Sequence, residues 1–309
     1  MIRVEIYERL GNQLFKYAYA RKLLEDRGCK DELILGFRGM KGKDHAAGWS
    51  DSLKYFNVYP YKSTNKRHFE VFGSRLQRFI VFLFYVDRKI ETSILGRQML
   101  KVEAKWYSLF DKLGIHICNN NEQEFNPYSQ RDLIVVGRYE NSKYFNSIRN
   151  ILLKEFTPKE GLIEHNILLY NKIQAVNSVC VSIRRGDFIS NPKFEKVFNI
   201  CDKAYFDRAM KVIREKVENP VFIFFSDDID WVRQNIKIDG ESYYERGDDP
   251  VWEKLRLMYS CKHFIISNST FSWWAQYLSR NDNKIVVSPT RWYKTNIPSF
   301  LIEDYFIKV

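Results

Sequence analysis

The feature that most limits what this chain can fold into is a recurrence in its second half. Short apolar runs, Ser178–Ile183, Val221–Phe225, His263–Ser267 and Lys284–Ser288, alternate there with longer helical stretches. Apolar runs of this length bounded by polar residues read as buried strands. The stretches between them, Ala204–Val217, Pro250–Tyr259 and Phe271–Ser279, are each about the length of a crossover helix. Strand, helix, strand repeated in this way predicts a parallel sheet in a doubly wound, nucleotide-binding arrangement. The first half is less regular. Ile2–Tyr7 alternates apolar and charged residues as a strand does, and Gly11-Asn12 opens a helical pattern through Leu14, Phe15, Ala18, Leu23 and Leu24. Residues 31–70, with glycines at 36, 39, 42 and 48, take no firm assignment. Val71–Leu113 reads as helical, and Leu133–Val136 as a buried strand ending at Gly137. With a linker between about 150 and 175, the chain divides into a first domain over residues 1–160 and a second over 161–309.

Composition narrows the partners. The 309 residues are 45% hydrophobic and 16% aromatic, enough to bury a real core. Lys and Arg number 49 against 38 Asp and Glu, a formal +11, which favours an anionic partner: nucleic acid, anionic lipid or a phosphorylated small molecule. The basic residues are scattered among acidic ones and no zinc-finger, RNP or helix-turn-helix pattern stands out, so nucleic acid is not expected. Five widely spaced cysteines, 29, 118, 180, 201 and 261, form no CxxC pair and indicate neither a disulfide framework nor a zinc site. They fit a reducing cytoplasm. The N-terminal MIRVEIYERLGNQ has no apolar stretch of the signal-peptide kind. The run Phe79–Val86 falls far short of the roughly 20 residues that span a bilayer.

In an open α/β sheet, ligands bind beyond the carboxyl ends of strands, so the polar residues just after each strand are the candidates. Four clusters qualify. Arg184-Arg185-Gly186-Asp187 follows the first strand of the second half. Paired guanidiniums there suit a diphosphate, since each can fork onto two oxygens, and a structural ion pair of Arg185 with Asp187 explains the same residues. Ser226-Asp227-Asp228 follows the next strand and reads as a helix cap or as a carboxylate for a nucleobase or ribose. Ser267-Asn268-Ser269-Thr270-Phe271-Ser272-Trp273-Trp274 places hydroxyls at a helix start, where free amides and the dipole attract phosphate. The tryptophans, Trp274 above all, read as packing beneath the sheet. Gly11-Asn12-Gln13 is the turn after the first strand of the chain, where an uncharged amide can reach a ligand.

Taken together, LGNQLFKYAYARKL, GRYENSKYF at 137–145, VSIRRGDF at 181–188, FFSDDIDWVRQ at 224–234 and CKHFIISNSTFSWWAQYL at 261–278 resemble the bacterial α-1,2-fucosyltransferases of glycosyltransferase family 11. The stretches keep the family's order over most of the chain, and 31–130 carries little of the resemblance. The resemblance implies a GT-B-type fold, two Rossmann-like domains with parallel sheets facing across a cleft, the first on the acceptor side and the second binding the nucleotide sugar. It also implies a GDP-fucose donor, inversion at the sugar carbon and no required metal. By motif, Arg184 and Arg185 would hold the diphosphate and Ser269, Thr270 and Phe271 would line its pocket, beside Asn268. Ser226, Asp227 or Asp228 would sit near the nucleoside, and Asn12, with Gln13, would face the diphosphate. Two departures stand out: Ser182 replaces the histidine the family usually carries two residues before the first arginine, and Glu8-Arg9 precede Leu10-Gly11-Asn12 where the family has GGLGN.

Departure of GDP passes through an oxocarbenium-like state, so stabilising the leaving diphosphate supplies much of the catalysis, with Arg184 the foremost residue. If a base operates, Asp187, Glu245 and Asp248 are candidates by position; a solvated loop is the plainer reading of Glu245, Arg246, Asp248 and Asp249. The stretch RLQRFIVFLFYVDRK joins apolar residues to arginines and can rest on the inner face of an anionic membrane, where a lipid-linked glycan acceptor waits, or be buried in a core or dimer interface. Two other readings remain open: a transferase using another nucleotide sugar, and a non-catalytic glycan-binding protein on the same fold.

Overall fold

The computed structural model describes residues 1–40, 49–65, 73–119 and 122–309. These fall into two units, Met1–Lys54 with Val58–Glu155, and Tyr55–Asn57 with Phe156–Val309. Gly42, Gly48, Val71 and Phe72 of the sequence reading lie outside the described residues.

In the N-terminal unit, β1 (Ile2–Glu5) buries Ile2 and Val4 and turns Arg3 and Glu5 outward, as its alternation requires. Helix α1 (Leu10–Asp26) has apolar side chains around most of its circumference, and residues such as Leu14, Phe15, Tyr17, Ala18 and Leu24 are buried. It ends where Gly28 and Cys29 turn to positive φ and donate to Glu25 O and Leu24 O. Strands β2 (Leu33–Gly36), β3 (Lys62–Thr64), β4 (Ile115–Cys118) and β5 (Leu133–Gly137) complete a five-stranded sheet in the order β3-β2-β1-β5-β4, parallel throughout. Gly137, at φ +142°, closes β5 because a Cβ there would lie 1.9 Å from the Cys118 carbonyl.

The stretch predicted helical is helix α2 (Arg75–Lys89), a π turn over Ile90–Ile94, and two short helices, α3 (Met99–Ala104) and α4 (Tyr107–Lys112). Helix α2 starts at a full capping box between Ser74 and Gln77. Its inner face buries Gln77, Val81 and Phe84, while Phe79 and Phe82 stay exposed. Core burial therefore claims only Val81 and Phe84 of its apolar residues, while Leu76, Phe79, Phe82 and Val86 are exposed. Helix α5 (Arg149–Glu155) ends the unit.

The C-terminal unit opens with helix α6 (Ile167–Ala175) and strand β6 (Asn177–Ile183), followed by two short helices, α7 (Gly186–Ser190) and α8 (Pro192–Phe198). Then come α9 (Lys203–Lys216), β7 (Pro220–Ser226), α10 (Ile229–Asn235), β8 (Ser242–Tyr244), α11 (Val251–Tyr259), β9 (His263–Ile266), α12 (Thr270–Leu278), β10 (Val286–Ser288) and β11 (Ile307–Lys308). The sheet runs β11-β10-β9-β6-β7-β8 and is again parallel. Its core sets Val179 and Val181 of β6 and Phe222 and Phe224 of β7 against Phe206, Met210 and Ile213 of α9. Trp273 and Trp274 are both fully buried, and Trp274 meets Phe156 edge-on at 5.3 Å. The central strands β6 and β9 end side by side, with Ser267 N donating to Ser182 O at 3.2 Å. That pairing decides where the site can form.

Candidate functional site

Two segments leave the adjacent ends of β6 and β9: the arginine turn 184–187 and the start of α12. Beneath them runs a line of buried hydroxyls. Ser272 Oγ lies 2.6 Å from Ser182 Oγ and 3.1 Å from Ser267 Oγ, tying the strand ends to the first turn of the helix. Ser182 is thus turned inward onto Ser272.

Arg184 is gripped by two carboxylates, Asp227 Oδ2 at 2.6 Å from Nη1 and Asp187 Oδ1 from Nη2. The strand-end ion pair to Asp187 is therefore made by Arg184, not by Arg185. Arg185 donates its backbone N–H to Asp227 Oδ1 at 2.8 Å and its Nε to Asp228 Oδ2 at 3.1 Å. Its guanidinium lies 3.4 Å from the centroid of the Trp231 ring, a contact that fixes the plane of the fork. Its side-chain bond to Asp228 is made through Nε. Asp228 also caps α10, accepting from Trp231 N at 3.3 Å, so the capping reading of the aspartate pair holds for this one. Two guanidiniums face three carboxylates here, so attraction for an anion comes from directed donors and not from net charge. One such set is the start of α12: Ser269 is its N-cap, makes no side-chain capping bond, and leaves the first-turn amides to other partners. Ser269, Thr270 and Phe271 are half-buried at this end.

Several residues singled out by sequence point the other way. Ser226 is buried, accepting at Oγ from Asp228 N and donating its own N–H to Glu245 Oε1. Asn268 is buried and donates to Phe198 O and Trp292 O, each at 2.9 Å, which pins two loops. Glu245 is fully buried against Ser226 N and, at 3.2 Å, Lys254; burial pushes its carboxyl above the usual range, against the pull of the lysine. It stands under the Ser226–Asp228 turn and not beside Arg184. Asp248 is exposed and paired with Arg246, whereas Asp249 is buried against His165 and Asn166, so the acidic loop is solvated only in part.

In the N-terminal unit, Gln13 is wholly buried, donating to Glu8 O and Ser50 O and accepting from Ser52 N. It builds the turn. Asn12 is half-buried and donates to Glu8 Oε2 at 2.7 Å. Glu8 itself stands at φ +72°, a conformation that side chains other than glycine rarely take. The same oxygen meets Lys16 Nζ at 3.1 Å, and that ammonium is 1% exposed. Lys16 also donates to Tyr7 O and lies 3.2 Å from the centroid of the Tyr7 ring. Sequence reasoning missed the Glu8–Lys16 pair and Trp231. The spacing of Glu8 and Lys16 across a strand-to-helix turn was the signal for the first, and the aromatic three residues past the capping aspartate for the second. Among the described residues, no group of three His, Cys, Asp or Glu side chains could hold a metal ion.

Comparison with known proteins supplies a family. The model of the family described as Glycosyl transferase family 11 matches residues 114–307. The chain is 28% identical over 311 residues to the O-antigen biosynthesis glycosyltransferase WbnK of Escherichia coli, covering 97% of both chains. It is 28% identical over 295 residues to an Escherichia coli alpha-1,2-colitosyltransferase, 92% of this chain and 90% of that one. Over 149 residues it is 29% identical to galactoside alpha-(1,2)-fucosyltransferase 1 of Leontopithecus chrysomelas, 45% of this chain and 41% of that one. Among solved structures, fucosyltransferase NodZ from Bradyrhizobium superposes with a TM-score of 0.50 at 11% identity, covering 90% of this chain and 94% of that one, which speaks to the fold.

Proposed function

The chain belongs to glycosyl transferase family 11, and on that premise we propose that it moves fucose from GDP-fucose to a glycan hydroxyl, O2 of a terminal galactose, with inversion and without a metal. The observation that carries the donor half is the arginine turn standing beside a helix start whose N-cap, Ser269, makes no side-chain capping bond. Arg185, its plane set by Trp231, forks onto the diphosphate through its Nη groups. Arg184, held by Asp187 and Asp227, fixes the charge of the turn against the same anion, and the α12 amides supply the remaining donors. Asp227 and Asp228 lie toward the nucleoside. In the transfer, the bond from the sugar carbon to the phosphate oxygen breaks as the acceptor oxygen closes on the opposite face, and the leaving diphosphate carries away the electron pair. The acceptor proton goes to solvent or to Asp187, the outward carboxylate of the proposed catalytic set; Glu245 positions the turn from below. The N-terminal unit takes the acceptor, with Asn12 a ligand contact of that unit. The name of WbnK supports a polysaccharide-repeat acceptor, lipid-linked in our reading, for an enzyme working at the inner face of a membrane.

Calorimetric titration with GDP, UDP and GDP-fucose in EDTA tests the donor. Binding of both GDP ligands with no UDP heat, weakened at least tenfold by Arg185→Ala, is the expected result; a preference for UDP, or a strict need for a divalent ion, rejects it. One relative is named for colitose, so GDP-colitose belongs in the same series, and tighter binding of that ligand would favour a colitosyl donor. Gly186→Ala is expected to weaken GDP binding by about tenfold, a cost of about 1.4 kcal/mol. A Cβ there would come within 2.3 Å of Asp227 Oδ2, and moving that carboxylate breaks its bonds to Arg184 and the Arg185 amide. Unchanged affinity in that variant would show that the Asp227 clamp does not shape the site.

A further inference from the structure

We propose that the outer face of α2, with the π turn that follows it, is a docking surface for an anionic lipid bilayer. At 100° per residue, Arg75, Leu76, Phe79, Phe82, Val86, Lys89 and Ile90 form one stripe along the helix. All seven are exposed, and Ile94 and Leu95, at 73% and 56% exposure, prolong the apolar strip past the helix end. The opposite face carries the packing, through Gln77, Val81 and Phe84. The helix is therefore amphipathic in an inverted sense, with apolar groups on both the core side and the solvent side.

The charges on this strip have one sign. Arg75, Lys89 and Arg97 are exposed, and the stretch from 74 to 98 holds only two carboxylates, Asp87 and Glu91. Asp87 accepts from Trp106 Nε1 at 2.8 Å, and Glu91 is buried at 9% exposure, held by Arg97 and Lys105. Exposed phenylalanines and leucines flanked by Arg75 and Lys89, with both carboxylates of the stretch taken up by Trp106, Arg97 and Lys105, match the acyl boundary and phosphate layer of an anionic membrane. A second copy of the chain fits less well, because two such strips face to face would set Arg75, Lys89 and Arg97 against their own counterparts. No helix of the described residues is long and apolar enough to cross a membrane, so contact through this face would be peripheral.

The test is sedimentation of the full chain with vesicles of phosphatidylcholine alone and of phosphatidylcholine with an equal share of phosphatidylglycerol. Binding to the anionic vesicles at least tenfold above the neutral ones is expected, as is release by about 1 M salt, where the Debye length is ~3 Å. The pair Phe79→Glu with Phe82→Glu should lower the vesicle partition coefficient more than tenfold while far-UV dichroism stays at the parent level. Arg75→Glu with Lys89→Glu should do the same and keeps the apolar residues. Equal binding to both vesicles, no binding to either, or a dimer in light scattering that the phenylalanine variant dissolves would each overturn the proposal, the last by assigning the strip to self-association. Vesicle binding is read without nucleotide and dichroism alone certifies the fold of each variant, so the outcome stands even if GDP does not bind.

Discussion

Replacing Arg184 by alanine is expected to lower kcat/KM for sugar transfer by about 10²–10³, the cost of removing one preorganised donor to developing negative charge, roughly 3–4 kcal/mol. The geometry argues for the upper part of that range. Arg184 separates Asp187 from Asp227, and without it two carboxylates would face the proposed diphosphate position with Arg185 as the remaining cation of the turn. Arg184→Lys should recover a part only, since an ammonium cannot bridge both aspartates in the plane of a fork. Steady-state kinetics of the three proteins at saturating acceptor, with thermal unfolding to confirm that each is folded, checks this. A kcat/KM for Arg184→Ala within threefold of the parent would remove the guanidinium from the chemistry.

The second large effect lies in the other unit and concerns stability. Glu8→Gln is expected to destabilise the fold by about 3 kcal/mol, the lower end of the cost of stripping one partner from a buried ion pair. Lys16 is the buried member, and the solvent that reaches Glu8 keeps the figure at that lower end. Burial by itself would raise the Glu8 carboxyl, but Lys16 and Arg138 reverse this and hold it below the usual range. Burial pushes the Lys16 ammonium below its ordinary value, with Glu8 opposing. The carboxylate therefore gains from the pair while the ammonium bears the desolvation. A depressed carboxyl contributes stability that is present above its unfolded value near 4.5 and is lost as pH falls through the folded one. Urea unfolding from pH 7 down to pH 3 should show that acid-side loss in the parent and a smaller one in Glu8→Gln. Parallel curves would mean the pair contributes nothing pH-dependent.

How far the sequence could be read depended on burial. The strands β6, β7, β9 and β10 were legible because each lies inside a sheet covered by helices and carries a continuous apolar run. Lys62–Thr64 was not, since it is an edge strand with exposed, polar residues, and Ser242–Tyr244 and Ile307–Lys308 are edges too short to show a period. The arginine turn was legible by identity and position. Its pairing was not: Arg184 and Asp227 stand 43 positions apart and meet only because β6 and β7 run parallel. Position after a strand also cannot tell which way a side chain turns. Gln13, Ser226, Asn268 and Glu245 all satisfy the positional rule, yet each is buried and spent on backbone partners. The positive φ at Glu8 left no local mark in the sequence, and its carboxylate is held by Asn12 and Lys16.

The contact between Ser182 and Ser272 has a meaning for anyone rebuilding this chain toward its relatives. At 2.6 Å between hydroxyl oxygens the two buried serines are in hydrogen-bond contact, and a larger side chain at either meets the other. An imidazole introduced at 182, as the family pattern would have it, displaces Ser272 and, through it, Ser267. The two positions, 90 residues apart in sequence, are in direct contact, so substitutions at them are expected to be non-additive.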